Sequence, residues 1–144
     1  MMANPFQGTW KLVSLETRTE DGAVSYPWGR DPVGLYIFGG DGFSSVAVMG
    51  AHRPRFASRD IRGGTTEEIV AASNYVSYAG RYDIHGNKLV VHVEVSFFPN
   101  WVGQDQERFF EFSASRLTLS SPPVLIEGRE QRGYLIWERV RTKT

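Results

Sequence analysis

The stretch from Val76 to Phe112, VSYAGRYDIHGNKLVVHVEVSFFPNWVGQDQERFFEF, constrains the fold more than any other part of the chain. Apolar, β-branched and aromatic residues recur through it, and turn-forming residues break it twice. It predicts three consecutive antiparallel strands. The first ends near Ile84, where His85, Gly86 and Asn87 supply turn chemistry. The second runs from about Lys88 to Phe98 and the third from about Gln104 to Phe112, joined by Pro99 to Gly103.

The flanking sequence repeats the pattern. Trp10 to Thr19 alternates imperfectly and then turns polar, as a long, half-buried strand would. Asp21-Gly22 is a turn, and Pro27, Gly29 and Pro32 make residues 23–32 loop or edge. Tyr26 and Trp28 there would rim or cover a cavity. Gly34 to Phe38 and Phe43 to Met49 form a hairpin around Gly39-Gly40-Asp41-Gly42. That glycine run lacks the spacing of a phosphate-binding loop. Thr65 or Thr66 caps a short helix that opens with Glu67 and Glu68 and runs to about Ser73, and so short a helix must pack on the sheet. Arg116 to Ser120 is a strand, Pro122-Pro123 interrupts it, and Glu127 to Arg132 is a charged loop. Tyr134 to Val140 is the closing strand. Eight to ten short strands and one short helix make the chain all-β and antiparallel, a single domain over residues 1–144. A closed barrel removes the exposed edges of such a sheet, and a β-sandwich is the alternative.

Composition narrows the partners. Sixteen basic residues balance sixteen acidic ones, so the chain has no general attraction for nucleic acid or an anionic membrane. The opening MMANPFQGTW lacks a basic stretch followed by an apolar run, and no apolar run nears the roughly 20 residues that span a bilayer. There is no cysteine, hence no disulfide and no thiolate nucleophile, which fits a reducing cytoplasm. Nine Phe, six Tyr and four Trp can line a cavity or fill a β core.

Three side chains break the apolar pattern of the central strands: His92, Glu94 and Arg108. On the third strand Gln106, Arg108, Phe110 and Phe112 share a face, and the phenylalanines mark it as interior. A guanidinium turned inward needs carboxylate, carbonyl or ligand partners. The second strand reads two ways. Either Leu89, Val91, Val93, Val95 and Phe97 face inward and leave His92 and Glu94 in solvent, or His92 and Glu94 line the barrel and a helix or second subunit covers the valines. A turn over residues 85–87 and a connection over 99–103 would gather Tyr78, Tyr82, His92, Glu94 and Arg108 on one interior face. A slip of one residue in either hairpin breaks the set. Histidine and glutamate at i,i+2 give two of the ligands that zinc needs, but His52 and His85 lie in unrelated turns, so no metal and no cofactor is expected.

The pieces FQGTWKLVSLE, DPVGLYIFGGDGFSSV, YAGRYDI, VVHVEVSFFPNWVGQDQERFFEF, LTLSSPP and LIWERV, in this order, resemble the bacterial and fungal lipocalin-like domain family. The resemblance implies a calycin-type antiparallel barrel with one mouth and a mainly apolar pocket. Gly8 and Trp10 match the family's N-terminal glycine-any-tryptophan. Arg139 matches the basic residue that packs on that tryptophan, as a structural group. Some related barrels serve natural-product pathways as cyclases or isomerases.

Two functions are expected from these residues. In the first, the barrel binds a small, mostly apolar or amphipathic molecule bearing a polar or anionic group. Phe110, Phe112, Trp101, Tyr36 and Trp28 then contact its apolar body, and Arg108 fixes its polar end. In the second, the same pocket transfers protons in an isomerisation, cyclisation or elimination. His92 and Glu94 then act as acid and base, with Tyr78 or Tyr82 as hydroxyl donors. A homodimer is compatible with either.

Overall fold

The computed structural model describes residues 4–141. Its strands are β1 (Gly8–Thr19), β2 (Val24–Ser25), β3 (Val33–Phe38), β4 (Phe43–Met49), β5 (Tyr75–His85), β6 (Lys88–Ser96), β7 (Asp105–Ser113), β8 (Arg116–Ser120), β9 (Val124–Ile126) and β10 (Arg129–Arg139). Eight of them run β1-β3-β4-β5-β6-β7-β8-β10 and close into a barrel where β10 pairs with β1. β2 and β9 are short flaps on β1 and β10. Every pairing is antiparallel, as hairpin connections require. The fold is the expected all-β calycin-type barrel, and closure of the ring excludes the sandwich.

The short helix α1 (Thr66–Ala71) is held differently from expectation. None of its residues is buried, and Ile69 and Val70 are exposed. Its N-terminus is fixed by a capping box between Thr65 and Glu68. Glu68 also accepts a hydrogen bond from the Ala57 amide at 2.9 Å, and Arg53 Nη2 donates to the Ala72 carbonyl at 2.7 Å. Polar ties to Arg53 and Ala57 in the preceding connection, rather than an apolar face, hold this turn of helix.

The barrel's closed end is plugged from the N-terminal segment. Phe6 is fully buried against Phe38, Phe110 and Phe112, with ring centroids 5.2, 5.0 and 5.0 Å away. Trp10 lies beside this cluster and donates its indole N–H to the Phe6 carbonyl at 2.9 Å. The Arg139 guanidinium covers the Trp10 ring at 4.2 Å and donates to the carbonyls of Gln7 and Pro5. Gly8 makes room for it. The glycine has φ 122°, and a Cβ there would stand 3.1 Å from Arg139 Nη1.

Two details of the central hairpins decide which side chains enter the barrel. The β5–β6 turn is two residues, Gly86 and Asn87, with His85 opposite Lys88. Gly86 has φ 63° and Asn87 does not have positive φ, the pattern of a type II′ hairpin turn. A three-residue turn over 85–87 would have paired Ile84 with Lys88; the shorter turn pairs Ile84 with Leu89. That one-residue difference reverses the faces. The second detail is a bulge. Gly80 lies opposite Val93, but Ala79 lies opposite Val95, so Glu94 is the extra residue. Leu89, Val91 and Val93 therefore face the core, while beyond the bulge Val95 and Phe97 are 67% and 56% exposed. The same device explains the imperfect alternation of β1. Its register shifts between Leu12 and Ser14, so Trp10 enters the core from one parity and Leu15 and Thr17 from the other.

Strand limits differ modestly elsewhere. Residues 129–132, read from sequence as charged loop, open β10 and pair with β1 and β9. Glu127 and Gly128, both with positive φ, form the tight turn that returns β9 to β10.

Candidate functional site

Above the plug the barrel holds a cavity of about 130 Å³. Its walls come from nearly every strand, because each contributes its inward parity. Leu15, Val46, Val48, Val76, Leu119 and Leu135 make it apolar. Five aromatic residues border it: Trp28 from the β2–β3 connection, Tyr36, Tyr78, Trp101 and Trp137. Tyr36 stacks on Phe38 of the plug at 4.2 Å and meets Trp137 edge-on at 5.5 Å, which joins cavity to plug. Trp101, on the short 3-10 turn Pro99–Trp101, packs edge-on against Tyr78 at 5.7 Å and Phe98 at 5.4 Å.

The polar groups on the walls fall into two sets. One set is satisfied within the protein. Thr17 donates to Gln131 at 2.6 Å, Gln131 donates to the Ile126 carbonyl at 3.1 Å, and Ser121 accepts from the Gly133 amide at 2.8 Å. The other set is not. The Tyr36 hydroxyl and the indole N–H groups of Trp28 and Trp137 are buried without a hydrogen-bond partner among the described residues. Burial pushes the Tyr36 phenol well above its ordinary range; the neighbouring Tyr78 hydroxyl adds to the effect, and Arg108 and the nearby Ser44 hydroxyl oppose it. Tyr36 is therefore a neutral O–H group at physiological pH.

Arg108 also borders the cavity, as its strand parity predicts. It donates to the Gln106 side chain at 3.1 Å and the Glu107 carbonyl at 2.8 Å, and its guanidinium lies 6.0 Å from the Tyr78 ring centroid. It is in no salt bridge among the described residues.

Of the side chains expected to contact a ligand, the structure brings Arg108, Trp101, Tyr36 and Trp28 to the cavity, and Tyr78 with them. Phe110 and Phe112 are inward but belong to the plug, because Phe6 sits on them. Tyr82 also lies in the plug. It donates to the Gly39 carbonyl at 2.9 Å and accepts from Asn4 at 2.7 Å. Trp137 is a wall residue that the sequence reading missed. It shares its strand parity with Arg139, and that parity was the available signal.

The interior acid-base pair is corrected outright. His92 and Glu94 lie outside the barrel, since the two-residue turn and the bulge direct Val91 and Val93 inward instead. His92 is bracketed by carboxylates on the surface: Nδ1 is 2.7 Å from Asp105 and Nε2 is 2.8 Å from Asp83. Glu94, the bulge residue, is exposed. Nor does Glu94 face Arg108, which pairs with Leu89. Among the described residues no group of three His, Asp or Glu side chains is placed to hold a metal ion. No described helix is long and apolar enough to cross a membrane.

A calycin-type barrel with an apolar cavity is a small-molecule-binding structure. The curated 4′-hydroxy-3′-methoxypropiophenone carrier protein ppsC of Aspergillus oryzae (strain ATCC 42149 / RIB 40) is 35% identical over 106 residues, 67% of this chain and 96% of that protein. A crystal structure of an uncharacterized protein from Bacteroides eggerthii DSM 20697 aligns with a TM-score of 0.46 at 15% identity, covering 94% of this chain and 99% of that one. The sequence model of the lipocalin-like domain matches residues 7–140, and the chain belongs to that family.

Proposed function

We propose that the protein is a carrier for a small, mostly apolar molecule with a polar or anionic group, held in the barrel cavity. The observation that supports this most is the cavity itself: apolar walls, aromatic side chains and one guanidinium without a carboxylate partner among the described residues. Its size, about 130 Å³, is close to that of an engineered apolar cavity of about 150 Å³ that binds benzene, so one aromatic ring fits without large rearrangement. Tyr36, Trp28 and Trp101 would contact the ring, and Arg108 would hold the polar end. The relative from Aspergillus oryzae carries a single-ring aromatic molecule by name, which points the same way. His92 and Glu94 lie outside the cavity, which favours carriage over proton transfer by that pair.

The test is a screen of single-ring aromatic compounds against the folded protein by thermal shift, followed by titration of the hits. A ligand that binds the native state alone raises the melting temperature, by an amount that grows with the logarithm of its concentration over its Kd. Arg108→Ala is expected to weaken an acceptor-bearing hit by about 10-fold while leaving the fold intact. Equal affinity in that variant would remove Arg108 from the role.

A further inference from the structure

Strand β3 is apolar on both faces. Gly34, Tyr36 and Phe38 turn into the barrel, while Val33, Leu35 and Ile37 point outward and are 48%, 44% and 47% exposed. An antiparallel barrel in water alternates apolar-in with polar-out, so an apolar outer row calls for a cover. The neighbouring strands extend this face. On β4, Ala47 stands opposite Leu35 and Ser45 opposite Ile37. On β5, Ser77 stands opposite Ala47 and Ala79 opposite Ser45. These small side chains floor a trough two strands wide, bounded on one side by the β3 row. On its other side rise Val95, opposite Ala79, and Phe97, both exposed. None of the outward positions on β3 or β4 is charged, and no salt bridge among the described residues involves either strand. Lys11, opposite Leu35, and Arg81, opposite Phe43, stand at the rim.

We infer that this face is a homodimer interface, in which the Val33-Leu35-Ile37 ridge of each copy seats in the β4–β5 trough of the other. The inference is independent of what the cavity binds. β3, β4 and β5 are each paired on both sides, so they offer no free edge, and association must run face to face. Ridge and trough lie side by side, with centres about 7 Å apart at the usual strand spacing. A twofold axis running along the strands between them places each ridge over the other copy's trough. That is the self-matching arrangement a symmetric dimer needs. The small side chains of the floor let the two sheets approach closely. The centre of the face is uncharged, so two copies meet there without like charges, whereas a charged partner would find no opposite sign. The outer faces of β1, β3, β4, β5 and β6, at about 4.8 Å spacing and roughly 23 Å long, give a footprint of about 550 Å² in projection. Pleated side chains expose more than their projection, which brings the face toward the roughly 800 Å² per partner of a standard interface. Tyr36, Val46, Val48 and Tyr78 line the cavity from the inner side of the same strands, so the second copy backs the cavity wall and leaves the ends of the barrel free.

Sedimentation velocity of the full chain tests the inference. The chain is expected to sediment at twice its own mass at about 50 μM, with a Kd of about 10 μM or tighter. Leu35→Glu and Ala47→Arg each put a charge into the buried centre and should weaken the dimer by at least about 100-fold, with the circular dichroism spectrum unchanged. Leu125→Glu, on an exposed residue of β9 away from this face, should leave the dimer intact. The chain has no cysteine, so Ala47→Cys supplies a single thiol near the axis. A short bismaleimide should link two copies of Ala47→Cys and leave Leu125→Cys unlinked at the same concentration. A chain that stays monomeric at about 100 μM overturns the inference, and flotation of that monomer with phosphatidylcholine vesicles would assign the face to a lipid surface instead. A dimer that survives both Leu35→Glu and Ala47→Arg, or that cross-links through Leu125→Cys alone, puts the interface elsewhere and also overturns it.

Discussion

Arg139 can lie on Trp10 because residue 8 has no side chain. The guanidinium also donates to the Gln7 and Pro5 carbonyls, so one cation closes the barrel end and fastens the segment that carries Phe6. Trp10 is fully buried, and Trp10→Ala is expected to cost about 3–5 kcal/mol in a urea titration; a loss under about 1 kcal/mol would contradict its place in the plug. His92 makes a second prediction at this scale. Its hydrogen bonds to Asp105 and then Asp83 raise its pKa above the ordinary value of 6.5, since both ring nitrogens face carboxylates and both are satisfied only when both carry protons. The folded-state value exceeds the unfolded one. The stabilisation is therefore complete below about pH 6.5 and is lost as pH rises through the higher folded-state value. The group is well exposed, so the effect is small. The melting temperature of the wild type relative to His92→Gln should be higher at pH near 5.5 and converge by pH near 8.5. A difference that does not change with pH would show that the two carboxylates leave His92 untouched.

At the scale of the element, the β5–β6 hairpin determines what the barrel contains. Gly80 is the residue that permits its bulge. A Cβ at that position would stand 1.9 Å from the His92 carbonyl oxygen, which is backbone and has no rotamer to give. Gly80→Ala should cost about 1–3 kcal/mol by chemical denaturation, the range of overpacked sites; a change within about 0.5 kcal/mol would mean the bulge accommodates a side chain. This hairpin also marks where sequence reading stops. Strand identities were legible because alternation and turn residues are local. The inward parity of β7, and with it Arg108, was legible from Phe110 and Phe112. The parity of β6 was not. It depends on whether His85 belongs to the turn or the strand, and on an extra residue at Glu94 that leaves no mark in composition. An unbroken alternation from Leu89 to Phe97 looks like one apolar face, yet the bulge sends its last two members outward. Likewise, the inward phenylalanines gave no sign that Phe6 would cover them.

At the scale of the whole molecule, the closed ring divides into two parts with different chemistry. The lower part is a solid aromatic plug whose polar atoms are satisfied, as with Trp10 on the Phe6 carbonyl and Tyr82 on the Gly39 carbonyl. The upper part is an apolar cavity whose Tyr36, Trp28 and Trp137 donors lack partners among the described residues. The four tryptophans sample both parts: Trp10 in the plug, and Trp28, Trp101 and Trp137 on the cavity walls. Each has one indole N–H, and each gives one resolvable signal in a proton–nitrogen NMR spectrum. Titration of propiophenone into uniformly nitrogen-15-labelled protein therefore tests the carrier account directly. The account predicts saturable shifts of the Trp28, Trp101 and Trp137 indole signals, with the Trp10 signal nearly stationary. Saturable shifts confined to surface residues around His92 and Asp105, or no saturable shift of any cavity indole, would contradict it.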